Sequence, residues 1–211
     1  MGGWHLVRHG ETQWNLEGRI QGHTDVPLCE FGRKKVRALA RELATIPFSA
    51  VYASDLIRTV ETARILIEGT DASVQKDPNL REFAYGAWEG LTLDEVQTQD
   101  AESFSQRLNR RDVDFAAPGG ENAIQLLQRV RRFFDETSEM HGQEDNLLVV
   151  AHGGSIRALA ICLLGLSDEH FWRFHVDCAS LSVIRTYSGG RVLERWNHTV
   201  PLGIESLKGS Q

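Results

Sequence analysis

Residues 146–154 read NLLVVAHGG, an apolar run on consecutive positions that ends in a histidine and two glycines. A strand that is apolar on every position is typical of a parallel sheet with both faces covered by helices. Residues 4–10, WHLVRHG, follow a similar plan, with Arg8 and His9 directly after a short apolar run. We therefore expect both runs to be strands of one mainly parallel α/β sheet, with the first of them in its centre.

The rest of the chain alternates between strand-like runs and helical periodicity, as βα units do. Strands are predicted at residues 4–7, 49–53, 73–76, 146–151, 180–186 and 191–196. Helices are predicted at residues 30–45, 122–140 and 155–164. A further helix, capped by Ser54 or Asp55, is expected to run to about Glu68.

Length and charge limit the classes of protein to consider. The 211 residues fit one domain over residues 1–211, with an inserted helical or loop segment at about residues 93–121. The 23 Lys and Arg against 29 Asp and Glu give a net charge of −6, so the chain as a whole has no attraction to nucleic acid or an anionic membrane. An anionic ligand must therefore be bound by a local basic cluster.

Cysteine usage and the first residues predict a cytoplasmic protein. Cys29, Cys162 and Cys178 are widely spaced and form no C-x-x-C pair, which argues against a disulfide framework and a zinc site. The sequence MGGWHLVRHGE lacks the pattern of a signal peptide, and no run approaches the roughly 18 apolar residues of a membrane span. No metal-binding motif is present, so we expect neither metal nor cofactor.

Ligands bind at the carboxyl ends of parallel strands, so His9 and His152 are expected to project into one crevice. Arg58 follows the strand at 49–53 and is expected to reach the same crevice as Arg8. Two guanidiniums and two imidazoles suit a phosphoryl group, because arginine offers planar paired donors to phosphate oxygens. Free amides after Gly153, at a helix start, are expected to add to this phosphate pocket.

Four stretches resemble, in order and spacing, the motifs of the histidine phosphatase superfamily, also called the phosphoglycerate-mutase-like family. They are LVRHGETQWNLEGRIQGHTDVPLCEFGRKKV at 6–36, VYASDLIRTVETA at 51–63, LREFAYGAWEG at 80–90 and VVAHGGSIRAL at 149–159. The resemblance spans about residues 4–164 and implies a three-layer αβα fold with a mainly parallel central sheet. It also implies a phosphatase that needs no metal.

The resemblance assigns roles to particular residues. It makes His9 the histidine that is transiently phosphorylated, and it matches His152 to the family's second histidine. Arg8 and Arg58 match the two pocket arginines, and Asn15 matches a residue that also touches the phosphate.

Glu82 matches the carboxylate that usually donates the proton, although Glu89 is a second acid in the same segment. Gln21 and Gly22 follow the nucleophile loop and are candidates for lining the site, but a surface turn explains them equally well.

The chemistry sets further requirements on the two histidines. His9 must be neutral at the attacking nitrogen and held at the other, for which a backbone carbonyl is suited. His152, expected as an imidazolium, and the two arginines are expected to stabilise charge on the phosphoryl oxygens.

Three functions fit these residues. The first is a phosphomonoesterase of a small phosphorylated metabolite, with α-ribazole 5′-phosphate and phosphoserine ranked highest by resemblance. The second is a phosphoglycerate mutase, disfavoured because residues 82–92 lack the family's E-R-H-Y-G and Gly-Leu-Asn-Lys strings, with Arg110-Arg111 as the remaining basic pair. The third is a non-catalytic module that binds a phosphorylated ligand. No nucleic-acid or membrane partner is expected, and a homodimer stays open because dimers are common among relatives.

Overall fold

The fold is built on a mixed sheet, seen in a computed structural model that describes residues 2–108 and 113–202. In these ranges the strands are β1 Gly3–Arg8, β2 Ala50–Ala53, β3 Val74–Lys76, β4 Asn146–Ala151, β5 Leu181–Tyr187 and β6 Gly190–His198. Their spatial order is β3-β2-β4-β1-β5-β6. The first four strands in this order run parallel, while β5 is antiparallel to β1 and β6 is antiparallel to β5. The predicted central strand at 146–151 therefore lies between two parallel neighbours.

Helices cover both faces of the sheet. They are α1 Gln13–Leu16, α2 Glu30–Leu43, α3 Ile57–Leu66, α4 Leu93–Gln99, α5 Ala101–Leu108, α6 Ala123–Met140 and α7 Gly153–Leu164. Short 3₁₀ turns occupy Pro78–Leu80, Gly86–Trp88 and Asp168–Arg173. Among the helices of the described residues, none combines the length and the apolar character needed to cross a membrane.

Alternate residues of the strands pack into two separate hydrophobic cores, one on each face of the sheet. Leu6 and Val149 pack on the face that carries α6 and α7, whereas Val7, Leu148 and Val150 pack on the face that carries α2 and α3. This alternation follows from the period of two along a strand, and it explains why β4 is apolar at every position. The layers are helix, sheet, helix, which confirms the predicted α/β class.

The start of α3 differs from the prediction. Neither Ser54 nor Asp55 caps the helix, which begins at Ile57 without a cap from its own segment. Asp55 instead forms a two-pronged pair with Arg81 at 2.6 and 2.7 Å, and the amide of Ile57 donates to Asp25 at 2.7 Å. A long-range partner satisfies the helix end, which local sequence does not reveal.

The inserted segment at about 93–121 contains α4 and α5 and contacts the parts of the chain around Arg19 and Trp88. Val96 and Ala117 pack with Trp88 in a small third core. Arg19 pairs with Glu95 at 2.9 Å and donates to the carbonyl of Gly90 at 2.8 Å. Arg110 and Arg111 lie outside the described residues.

His5 is a buried histidine of β1 that makes stability depend on pH. It is 1% exposed and packs edge-on against Phe48. Burial, aided by the charge of Arg185, lowers the pKa of His5 to about 4. The unfolded chain binds a proton at about pH 6.5 and the folded chain does not, so stability is full above that pH and falls as the pH drops.

We expect the His5→Leu variant to be less acid-sensitive than the wild type. The shift in pKa corresponds to roughly 2 kcal/mol of unfolding free energy lost between pH 7 and pH 5. Urea unfolding of both proteins at the two pH values measures this, and the difference between proteins isolates His5 from other titrating groups. Equal acid sensitivity in the two proteins would contradict the assignment.

Candidate active site

Strand register brings the two predicted histidines together. In the parallel β1–β4 pair Arg8 stands opposite Ala151, so the next residues, His9 and His152, leave the sheet side by side. Their ring centroids are 5.1 Å apart, and the side chains are 2% and 0% exposed. The convergence expected from the strand ends is thus present.

One ring nitrogen of His9 has a hydrogen-bond partner, and the other has none among residues 2–108 and 113–202. Its Nδ1 lies 2.7 Å from the carbonyl oxygen of Gly10. A carbonyl can only accept, so Nδ1 carries the proton and Nε2 keeps its lone pair. Burial and the charges of Arg58 and Arg8 hold the pKa of His9 well below its usual value, which keeps Nε2 unprotonated. The ring is in the state that nucleophilic attack needs.

The pKa of His152 is well below its usual value, which favours a neutral ring over the expected imidazolium. Burial, Arg58, His9 and Arg8 all lower its pKa, because a charge is costly in a dry site that already holds two guanidiniums. Arg58 Nε donates to His152 Nδ1 at 3.3 Å. Nδ1 is therefore the acceptor, and Nε2 bears the hydrogen that this ring can donate.

Arg58, the second residue of α3, is a fully buried guanidinium that makes no hydrogen bond to a carboxylate of the described part of the chain. It donates to the backbone carbonyls of Gly22 at 2.7 Å and Thr24 at 2.9 Å. Burial lowers the pKa of Arg58 to about 10, so the group stays charged at neutral pH. Neutral carbonyls orient this charge but do not cancel it, which leaves positive potential for an anion.

Arg8 supplies the second positive charge. Its Nη1 donates to the carbonyl of Val176 at 2.6 Å. Its Nε is buried and has no partner within residues 2–108 and 113–202, and the same holds for His152 Nε2. Both are N–H donors in a buried site, where an unpaired donor is costly. Oxygen atoms of a phosphoryl group are the acceptors that fit them.

Glu82 lies at the N-terminal end of α7. Its carboxylate accepts from the amide of Gly154 at 3.0 and 3.3 Å and from the amide of Phe83 at 3.0 Å. The prediction that amides at this helix start are free for an anionic ligand was therefore wrong for Gly154, because the carboxyl oxygens of Glu82 already accept from that amide. Gly153 packs beside Glu82 and Arg8, and its role in phosphate binding stays a prediction.

Asn15 and Gln21 present amides to the nucleophile loop. The Oδ1 of Asn15 accepts from the backbone amide of Thr12 at 3.0 Å, and the Oε1 of Gln21 lies 3.0 Å from Thr12 Oγ1. With their oxygens engaged, both side chains have NH₂ groups left as donors. This is the polarity that a phosphate contact requires, so the predicted roles are compatible with the geometry.

Two further residues, Thr12 and Arg129, hold the loops around the site. The sequence analysis did not predict this role for either of them. Thr12 is fully buried and contacts both Asn15 and Gln21, and a capping box with Asn15 at the start of α1 is its sequence signal. Arg129 of α6 donates to the carbonyls of Asn79, Arg81 and Glu82. It has no signal beyond a helical periodicity, because its contacts are long-range.

Comparisons with known proteins agree with this geometry. The model of the histidine phosphatase superfamily (branch 1) matches residues 4–199. The chain is 35% identical to phosphoserine phosphatase 1 of Hydrogenobacter thermophilus, over 94% of this chain and 93% of that protein. It is 36% identical to 2,3-bisphosphoglycerate-dependent phosphoglycerate mutase 2 of Gloeobacter violaceus, over 82% of this chain and 80% of that protein.

The fold also matches solved structures. The crystal structure of the α-ribazole phosphatase from Shigella flexneri is similar with a TM-score of 0.85 and 32% identity, covering 93% of this chain and 96% of that chain. Sequence match, fold and paired histidines agree, and the resemblance drawn from the four motifs is confirmed. The chain belongs to the histidine phosphatase superfamily, branch 1.

Proposed function

We propose that this protein is a phosphomonoesterase that acts on a small phosphorylated metabolite through a phosphohistidine at His9. The observation that carries the proposal is His9 Nε2, which has no hydrogen-bond partner among the described residues, beside two buried donors that also lack one there, Arg8 Nε and His152 Nε2. A nucleophile with a lone pair and buried donors for the phosphoryl oxygens are the parts that phosphoryl transfer to a histidine needs.

In the first step, His9 Nε2 forms a bond to phosphorus while the bond from phosphorus to the ester oxygen breaks. The leaving oxygen takes a proton from Glu82 in its protonated form. Oε1 of Glu82 accepts from the amides of Phe83 and Gly154 at 3.0 Å, whereas Oε2 has only the longer 3.3 Å contact with Gly154. Oε2 is therefore the oxygen that carries the transferable proton.

In the second step, water attacks phosphorus and the bond from His9 Nε2 to phosphorus breaks. Glu82, now a carboxylate, takes the water proton and is ready for another cycle. Throughout, Arg8 and Arg58 hold the phosphoryl oxygens, and His152 donates from Nε2 as a neutral ring. Orientation of these donors before reaction is the main electrostatic contribution.

Glu82→Gln is expected to discriminate between leaving groups. The variant cannot protonate the leaving oxygen, so kcat/KM on an alkyl phosphate should fall by about 10²–10⁴-fold. An aryl phosphate with a good leaving group needs little protonation, so its first step should be affected far less. Steady-state assays of both esters measure the difference. An equal loss on both substrates would contradict the role of Glu82 as the acid.

Gly154→Ala provides an independent check on the same carboxylate. A Cβ at Gly154 would lie 2.4 Å from Glu82 Oε1 and 2.8 Å from the Phe83 ring, so Glu82 must shift. The same selective loss on alkyl phosphates is expected. Thermal melting of both variants shows whether they fold.

For the substrate we propose α-ribazole 5′-phosphate or phosphoserine, on the strength of the relatives that carry these names. The mutase is the second candidate because a relative with 36% identity has that name. Substrate choice depends on groups beyond the phosphate site, and Arg110 and Arg111, which would bear on a second anionic group, lie outside the described residues. Identity near 35% thus supports the class of reaction more than the metabolite.

A panel of phosphorylated metabolites, assayed for released inorganic phosphate in the presence of EDTA, tests the proposal. We expect release from one or both named substrates, undiminished by EDTA, since the mechanism needs no metal. Interconversion of 2- and 3-phosphoglycerate without phosphate release would favour the mutase. Binding without turnover of any ester would favour the non-catalytic module. Cytoplasmic location and a homodimer remain predictions, which cell fractionation and light scattering can test.

A further inference from the structure

Glu89, the second acid of the segment LREFAYGAWEG, is not in position to serve as the proton donor. Its Oε1 accepts from the backbone amides of His23 at 3.0 Å and Tyr85 at 3.1 Å. Its Oε2 accepts from the amide of Thr24 at 3.0 Å and the hydroxyl of Thr24 at 2.7 Å. Each oxygen thus accepts from a neutral donor of the loop that follows His9, and Oε1 also accepts from Tyr85 in the segment of Glu89 itself.

The charge of Glu89 is stabilised in this position. Burial alone would raise the pKa of Glu89, but the hydrogen bonds from His23, Thr24 and Tyr85 outweigh it and hold the pKa below its usual value. Four hydrogen bonds from neutral donors, at 2.7–3.1 Å, favour the ionised form of Glu89 at neutral pH. It is a fixed negative charge with no proton to give.

The same loop contacts Arg58 on its other side. The carbonyl of Gly22 accepts from Arg58 Nη2 at 2.7 Å, and the carbonyl of Thr24 accepts from Nη1 at 2.9 Å. Gly22 C=O and His23 N–H belong to one trans peptide and point in opposite directions. That peptide therefore lies between the carboxylate of Glu89 and the guanidinium of Arg58, with its dipole aligned to both charges.

The backbone at Gly22 is shaped for this arrangement. Its φ is +56°, and a Cβ there would lie 2.2 Å from Glu89 Oε1. Only glycine permits both the left-handed conformation and the close approach of the carboxylate. Any other residue at position 22 would separate Glu89 from the peptide that it contacts.

We propose that Glu89 is a positioning residue for phosphate binding, which fixes Arg58 through the Gly22–His23 peptide. This rests on the proposed function, because Arg58 is there assigned to the phosphoryl oxygens. Arg58 in turn donates to His152 Nδ1, so Glu89 also acts on the orientation of the second histidine. It touches neither substrate nor the reacting atoms.

Glu89→Gln tests the proposal, since the amide keeps the size of the side chain but removes its charge and turns a donor toward backbone N–H groups. We expect binding of inorganic phosphate, measured by calorimetry, to weaken by about 10-fold, and kcat on an aryl phosphate to fall by up to about 10²-fold. The ratio of alkyl to aryl phosphate rates should stay as in the wild type, unlike in Glu82→Gln. Glu95→Gln is the matched control, because Glu95 also accepts a backbone amide, that of Thr92 at 2.8 Å, but contacts Arg19 and not Arg58.

A double-mutant cycle separates this role from a merely structural one. In an Arg58→Ala background, Glu89→Gln should weaken phosphate binding no further, because the group that it positions is gone. Losses that add in the double variant, or a Glu89→Gln protein that binds phosphate like the wild type, would overturn the proposal. A wild type that binds phosphate but turns over no ester would overturn the phosphatase proposal alone, and phosphate affinity would still decide the role of Glu89. A wild type that does not bind phosphate would overturn both.

Discussion

His9→Ala is expected to abolish turnover, with kcat on any phosphate ester reduced by at least about 10⁴-fold. The variant removes the only atom that we assign to bond formation with phosphorus, Nε2 of a ring whose Nδ1 is held by the Gly10 carbonyl. Arg8, Arg58 and His152 remain, so phosphate should still bind. Steady-state assays with an aryl phosphate, together with calorimetric titration of phosphate, measure the two properties separately.

His5→Leu is a suitable control for His9→Ala, because it removes another buried histidine of the same strand region that has no role in the site. Its turnover should match the wild type at neutral pH. A His9→Ala protein that folds and retains a substantial share of the wild-type rate would rule out His9 as the nucleophile.

Arg58→Ala is expected to lower kcat by about 10²–10³-fold, the usual cost of removing one preorganised donor to a developing charge. The loss has two physical parts. The phosphoryl oxygens lose a buried positive charge, and His152 loses the donor that fixes its Nδ1 as acceptor. The carbonyls of Gly22 and Thr24 are also left without their donors, so a lower melting temperature should accompany the loss.

Arg58→Lys separates charge from geometry. Lysine keeps the positive charge but cannot donate at once to two carbonyls and an imidazole, so we expect it to restore only a small part of the rate. Arg131→Ala serves as the control, since Arg131 is an exposed arginine of α6 that pairs with Asp168 on the surface. Wild-type kinetics in Arg58→Ala would remove this residue from the proposed mechanism.

The sheet was predictable because its signals are local. The run at 146–151 became β4 with the predicted bounds, since a strand covered on both faces must be apolar at every position. The convergence of His9 and His152 was predictable from a rule about parallel strands, without any knowledge of side-chain packing. The start of α3 could not be predicted, because Asp25, which accepts from the amide of Ile57, lies far away in sequence.

The lowered pKa of His152 could not be predicted from the sequence either. An imidazolium is the simplest expectation for a histidine beside phosphate, but the cost of a third charge depends on burial and on the distance to both arginines. The different positions of Glu82 and Glu89 could not be predicted from the sequence either. Both acids lie in the same sequence segment, yet the Glu82 carboxyl accepts from the amide of Gly154, whereas the Glu89 carboxylate accepts from the amides of His23 and Thr24.

The most direct measurement is to trap the enzyme during turnover and locate the phosphoryl group. We would mix the Glu82→Gln variant with an aryl phosphate, quench the reaction in alkali, and map the phosphorylated peptide by mass spectrometry. The variant should accumulate the intermediate, because formation needs no acid with this ester while hydrolysis lacks its base. We predict one alkali-stable, acid-labile phosphoryl group on His9. A phosphoryl group on another residue, or turnover during which no phosphorylated protein is detected at any time, would contradict the mechanism.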